Sequence, residues 1–495
     1  MDRVTRGVLA PLAVLACIGT AAFPADAQLM EAVKAGDPGT VRALIASGAD
    51  VDATEADGTT ALHWAAYLDD LASADLLLRA GADATAANRY LVQPMALAAL
   101  NGSAEMIERL LTAGADANAW QGARETALMT AARTGDVAAV RVLLEHGADV
   151  HTSEGWKDQT ALMWAATEGH ADVVAMLIAH GADVNARSEG GYSAVLFAAR
   201  EGHIEVVEAL LDAGAPLDEA VPIQQREDAG GASAEAAPTG IDIFLIAAAN
   251  AHYELAARLL DRGADPDAAP QGWTALHQLS WVRKAGIAGS NNPAPVGSGG
   301  MSSLEFARKL VEHGADVNAR VTRRPPAGIT RLNFTGGTPF LLAARTADAE
   351  YMRLLVELGA DPLLPNGNGS TPLMVAAGLG TASPGEDPGT EAEVLEAVKL
   401  ALELGGDLNA VDDGGETAMH GAAYKHAPSV ARFLHEAGAE IDVWNRPNER
   451  GWTPLDIVEG GVHIGMNILS SPETAAAIRG IMRLEGVEPG PPEAN

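Results

Sequence analysis

The stretch Thr160 to Asn185 reads TALMWAATEGHADVVAMLIAHGADVN, and it sets the terms for the rest of the chain. Thr160 stands where a helix N-cap belongs, offering a hydroxyl to amides that have no partner inside the helix. The small pair Ala165-Ala166 in the helix that follows lets a neighbouring helix approach closely. A second helix supplies an apolar face, like the run Val140 to Leu144 in an earlier copy. Gly181 then ends that helix in the left-handed conformation that glycine tolerates. The side chains of Asp183 and Asn185 suit a tight turn.

The same sentence recurs. A Gly-Ala-Asp-like triplet begins at Gly48, Gly81, Gly114, Gly147, Gly181, Gly214, Gly263, Gly314, Gly359, Gly405 and Gly438. The first five intervals are 33, 33, 33, 34 and 33, followed by 49, 51, 45, 46 and 33. The capping phrase returns at Thr60, Thr126, Thr274, Thr338, Thr371, Thr417 and Thr453, and Pro339, Pro372 and Pro454 fall at the first helical position. A missing N–H costs nothing there. The unit resembles the ankyrin repeat, which has a period of 33 and a T-P-L-H-x-A phrase on a β-turn plus two helices. The resemblance runs from Leu29 to Leu484. It implies an all-α solenoid, an array of stacked helix-turn-helix units with β-hairpin fingers along one edge. Leu29 to Ser47 is the expected N-terminal cap and Trp452 to Leu484 a degenerate C-terminal one, because each unit packs mainly on its neighbours.

Composition narrows the function. The 495 residues carry 33 Lys and Arg against 66 Asp and Glu, a formal charge of −33, with 48% apolar residues. That apolar share excludes a disordered polyanion. The acidity argues against a nucleic-acid binder, which needs clustered Lys and Arg for phosphate contacts. At the N-terminus, Arg3 and Arg6 precede an apolar run from Val8 to Ile18, and Ala25-Asp26-Ala27 offers a small-x-small cleavage pattern. Residues 1–27 are therefore expected to be a signal peptide, cut after Ala27, giving a periplasmic or secreted protein of bacterial type. Val14-Leu15-Ala16 before Cys17 resembles a lipoprotein box, and a lipid anchor at Cys17 is the alternative. Cys17 is the sole cysteine, so a chain cut after Ala27 has no disulfide, thiolate metal site or cysteine nucleophile. No other stretch is long enough to span a membrane.

Four long intervals mark insertions. Pro222 to Gly240, rich in Ala, Gly and acids, is expected to be flexible and to separate regular repeats (28–221) from repeats with long loops (241–484). A disordered tail is expected over 485–495. A second finger insertion runs from Val321 to Gly337; Val282 to Gly300 and Gly378 to Thr390 fall between first and second helices. Around the Val321 insertion, Arg320, Arg323, Arg324 and Arg331 form a basic cluster with no acid from Ala319 to Arg331. It can dock an acidic partner or phosphate, or fold onto the protein's own acidic surface.

No P-loop, G-x-G-x-x-G, G-x-S-x-G elbow or H-E-x-x-H motif occurs. His63, His277 and His420 occupy the His position of the repeat phrase, where the resemblance implies that they tie down local backbone. No metal or cofactor is expected, and no enzyme activity. Trp64, Trp164 and Phe197 share one first-helix position that suits packing between repeats. Tyr192, Trp273 and Trp452 stand just before a helix cap, and Trp120, Trp156 and Trp444 lie a few residues earlier in their fingers. Exposed Trp and Tyr serve as interface anchors, so Trp120, Trp156, Tyr192, Trp273 and Trp452, with Arg323 and Arg324, are the expected partner-binding residues. Simple turn packing is the competing role for the aromatics.

The resulting expectation is a monomeric, non-catalytic scaffold that holds a protein partner, one with a basic surface to suit the charge. A secreted effector engaging another cell's proteins is the alternative, with an enzyme or saccharide-binding activity in the C-terminal block a more distant one.

Overall fold

The computed structural model describes residues 25–122, 124–221, 240–284, 295–323, 331–384, 387–464 and 467–489. The regular structure of the described chain is almost entirely helical, and its helices come in pairs. It divides into two compact units, up to Gly155 and from Trp156 onward. The first stacks four helix pairs, from Ala25–Lys34 with Pro38–Ala46 to Ala127–Thr134 with Val137–Glu145. The second stacks eight, from Ala161–Glu168 with Ala171–Ala179 to Pro454–Val458 with Pro472–Leu484.

Local chemistry sets each pair. The Thr160 hydroxyl accepts the Met163 amide at 3.4 Å, and Thr126, Thr338, Thr371 and Thr453 do the same for their own helices. The Ala-Ala pairs at 65–66, 98–99, 131–132 and 165–166 are fully buried, which brings successive first helices into close contact. Second helices bury branched residues, such as Val140 and Leu143 or Val173, Val174 and Leu177. All eleven terminating glycines have φ between 84° and 102°. At ten of them an added Cβ would meet nothing within 4 Å. These positions need glycine for backbone conformation, not for space.

The turn after each second helix links repeats through side chains. The Asp83 amide donates to Asp52 Oδ1 and the Asp149 amide to Asn118 Oδ1, both at 2.8 Å. In the second unit the amides of Asp316, Asp361 and Glu440 donate to Asp267, Asn318 and Asn409. In these five repeats the Asp or Asn two places after the triplet Asp thus holds the next repeat, a role beyond turn formation.

The insertions differ from simple surface loops. Val321, Leu332 and Phe334 form a buried cluster with Leu341, Leu342 and Val375, against which Trp273 and Trp281 pack. Leu379, Thr381, Ala382, Ser383 and Asp387 of the 378–390 insertion are buried too. The Arg331 amide donates to the Gly380 carbonyl at 3.1 Å, so these two insertions meet. Arg345 pairs with Asp387 at 2.9 Å inside this region, and Lys425 donates to the carbonyls of Asp387 and Pro388. A two-stranded antiparallel hairpin, Glu459–Ile464 with Asn467–Ser470, interrupts the last helix pair. Residues 222–239, Arg324, 490–495 and the first 24 residues lie outside the described residues, and with them most of the expected signal peptide, flexible insertion and tail. Ala25 to Ala27 form the first turn of Ala25–Lys34, where Asp26 accepts the Asp50 amide at 2.9 Å.

Candidate interaction surface

Several fingers close on themselves. Asn88 Oδ1 accepts the amides of Tyr90 and Val92, while the Asn88 amide donates to the Val92 carbonyl. Asn366, Asp412 and Asn448 repeat the arrangement. Finger tips also bond to one another. In the first unit the Arg89 amide reaches the Asp57 carbonyl and Gly122 reaches Leu91. In the second, Glu189 reaches Lys157, Asp413 reaches Asn368 and Glu449 reaches Gly414. With these backbone groups satisfied internally, the tips present side chains.

The repeat histidines brace the fingers from beneath. His63 Nδ1 accepts the Thr60 amide at 3.1 Å, and its Nε2 lies 2.9 Å from the Val92 carbonyl. Because an amide can only donate, Nδ1 is the acceptor and Nε2–H donates to the carbonyl. His277 and His420 repeat this between Thr274 and Gly337 and between Thr417 and Trp452. Burial pushes both rings down to about 4. The sequence foresaw the local tie; the bond to the next finger needs the stack.

The expected contact residues separate. Trp120 is 52% exposed and Trp156 79%. Tyr192 is half-buried, 5.3 Å from Phe197 and under the Arg200 guanidinium. Trp273 donates its indole N–H to Gln278 and meets Trp281 edge-on at 5.8 Å. Trp452 lies under Arg331 at 4.9 Å and Arg450 at 5.6 Å. Trp120 belongs to the first compact unit, Trp156 and Tyr192 to the second. Arg323 is exposed, whereas Arg320 donates to the carbonyls of Gly336 and Pro365 and Arg331 lies over Tyr424 and Trp452. Trp64 donates to Glu55 at 3.0 Å beneath Lys34, whose hydrogen bond holds the Glu55 carboxyl below its ordinary range.

On one finger, two further apolar side chains outside the expected set are exposed. Tyr90 and Leu91, 62% and 64% exposed, occupy the finger bonded to the one that carries Trp120. Their tip position was the available signal. Among the described residues, no group of three His, Cys, Asp or Glu converges as a metal site. No helix among them is long and apolar enough to cross a membrane.

Profiles of ankyrin repeats match residues 29–121, 95–188 and 128–221, and a further one matches 397–458, together just over half of the chain. Protein fem-1 homolog A of Bos taurus is 31% identical over 112 residues, 22% of this chain and 17% of that protein. Ankyrin repeat and SOCS box protein 16 of Homo sapiens is 32% identical over 237 residues, 37% of this chain and 52% of that protein. The chain thus spans under a fifth of the first relative and about half of the second. Among solved structures, the human ASB11 ankyrin repeat domain aligns at 27% identity with a TM-score of 0.36, over 39% of this chain and 86% of that domain.

Proposed function

The chain belongs to the ankyrin repeat family, and from that premise we propose that it is a non-catalytic scaffold, exported from a bacterial cell, that holds a protein partner against its fingers and first helices. Ankyrin repeats are generally protein–protein interaction modules, and proteins built from them are typically non-enzymatic. The observation that carries the reading is the exposure of Trp156 and Trp120 on their fingers. The exposed part of a large aromatic on a finger offers apolar area to a partner. Covering about 100 Å² of such a ring is worth about 2.5 kcal/mol, the size of an interface anchor. The net charge of −33 favours a partner with a basic face.

The test is crosslinking and affinity capture of the tagged full-length chain from its own cells, with fractionation of periplasm and medium. The Trp120→Ala, Trp156→Ala, Tyr192→Ala triple variant serves as the control. One dominant protein, lost in the variant while the circular dichroism spectrum is unchanged, supports the scaffold. Equal capture by the variant removes the finger aromatics from the interface, and chain found only in the cytoplasm removes export.

A further inference from the structure

In the first unit, the ends of the first helices away from the fingers carry a small apolar surface. Tyr67 closes the helix Ala61–Tyr67, Leu68 follows it, and Leu100 closes Pro94–Leu100; all three are about half exposed. The two helices pack side by side. Asn101 joins their ends, its side chain donating to the carbonyls of Ala66 and Tyr67 at 3.0 and 2.9 Å. Trp64 meets the Tyr67 ring edge-on at 5.8 Å. These two carbonyls are thus bonded and the ring is braced before any partner arrives, which lowers the ordering cost of binding.

The surroundings are acidic. Asp37, Asp70 and Asp136 cap the second helices that start at this edge, and Asp69 stands exposed beside Leu68. Asp136 also lies against Gly102, in the turn that follows Leu100. The cations here are already engaged, Lys34 with Glu55 at 2.6 Å and Arg133 with Glu125 at 3.7 Å. Carboxylates around an apolar patch select a partner that presents basic and apolar side chains together. A second copy of this chain, a nucleic acid or an anionic membrane would each bring like charge. Spacing selects the partner's form. Tyr67 and Leu100 hold the same place in successive repeats, on neighbouring helices whose axes lie about 8–10 Å apart. Side chains seven places apart on a helix share a face at about 10.5 Å, whereas a strand returns to one face at about 7 and 13 Å.

We propose that this edge docks a basic amphipathic helix of a protein partner, with apolar side chains on Tyr67, Leu68 and Leu100 and Lys or Arg side chains against the surrounding aspartates. This extends the scaffold reading to a second surface away from the finger tips, and the two fail separately.

Fluorescence anisotropy of a labelled fourteen-residue peptide, LKKLLKLLKKLLKL, titrated with the full chain tests it. Binding is expected, and it should weaken as salt rises. Leu100→Ser should weaken it about tenfold, and the Tyr67→Ser, Leu100→Ser double variant about a hundredfold, with the circular dichroism spectrum unchanged. The same residues in alternating order, LKLKLKLKLKLKLL, and the acidic analogue LEELLELLEELLEL should each bind at least about tenfold more weakly. These peptide controls keep the test decisive should a variant misfold. The Trp120→Ala, Trp156→Ala, Tyr192→Ala variant should bind the first peptide as the native chain does. No binding of the first peptide overturns the proposal, as does equal binding by the Tyr67→Ser, Leu100→Ser variant. Equal binding of either control peptide overturns it too. Loss of binding in the finger variant moves the contact to the fingers and overturns the edge as its site.

Discussion

Mild acid should destabilise the larger unit through His277 and His420. Both rings are fully buried. In each, Nδ1 receives a threonine amide at 3.2 Å, and Nε2 lies 3.2 to 3.3 Å from a carbonyl of the next finger. Burial disfavours the charged ring and pushes both down to about 4, and protonation would also place a hydrogen on Nδ1 facing that amide. In the unfolded chain they titrate near 6.5. Above that pH neither state binds the proton and the full stability is present. Below it, only the unfolded chain takes up the proton, and stability falls with pH until about 4. At pH 5 each ring has lost about 2 kcal/mol, and the pair about 4 kcal/mol. Glu393, held down to about 2 chiefly by its hydrogen bond from Lys284, begins to act only below the ordinary carboxylate range. His63, His252 and His426 are also lowered by burial and add in the same direction. Urea unfolding of the full chain at pH 7.5, 6 and 5 measures the slope. A His277→Gln, His420→Gln double variant should start less stable and follow a shallower line. A native profile flat to about 1 kcal/mol between pH 7.5 and 5, or an equal slope in the double variant, would refute the argument.

Phe306 is fully buried, 5.2 Å from Tyr253 and 6.4 Å from Phe244; Phe306→Ala should cost about 3–5 kcal/mol in chemical denaturation, and a loss under about 1 kcal/mol would show that the site collapses freely. Arg345 and Asp387 are both buried at 2.9 Å with Lys425 nearby. Asp387→Ala should cost about 3–5 kcal/mol by stranding the guanidinium, while the Arg345→Leu, Asp387→Leu double variant should cost less. A double variant worse than the single would show that the pair itself contributes the stability.

Part of the exposure pattern of the finger aromatics was legible. Trp120 and Trp156 are exposed at tips, as their finger positions imply, and Tyr90 and Leu91 belong beside Trp120. Trp273 looked equivalent to these but packs on Trp281 beside Val321, Leu332 and Phe334. Trp452 is covered by Arg331. In both cases the cover comes from the Val321 insertion, and an insertion has no period from which to read its landing place. Of the basic cluster, Arg320 and Arg331 turn inward and Arg323 faces solvent. Charge alone does not separate these outcomes, because carbonyls and aromatic faces attract a guanidinium as an acidic partner would.

The sequence by itself determined the repeat, the helix boundaries and the stacking faces. Those rest on contacts a few residues long, such as the Thr160 cap, the positive φ of Gly181 and the small Ala165-Ala166 pair. Tertiary structure alone decided that two insertions meet at Arg331 and Gly380, that a hairpin at 459–470 interrupts the last pair, and which aromatics stay in water. The physical reason is range. Local hydrogen bonds and backbone conformation are encoded where they act, whereas burial depends on which distant segment arrives to cover a side chain.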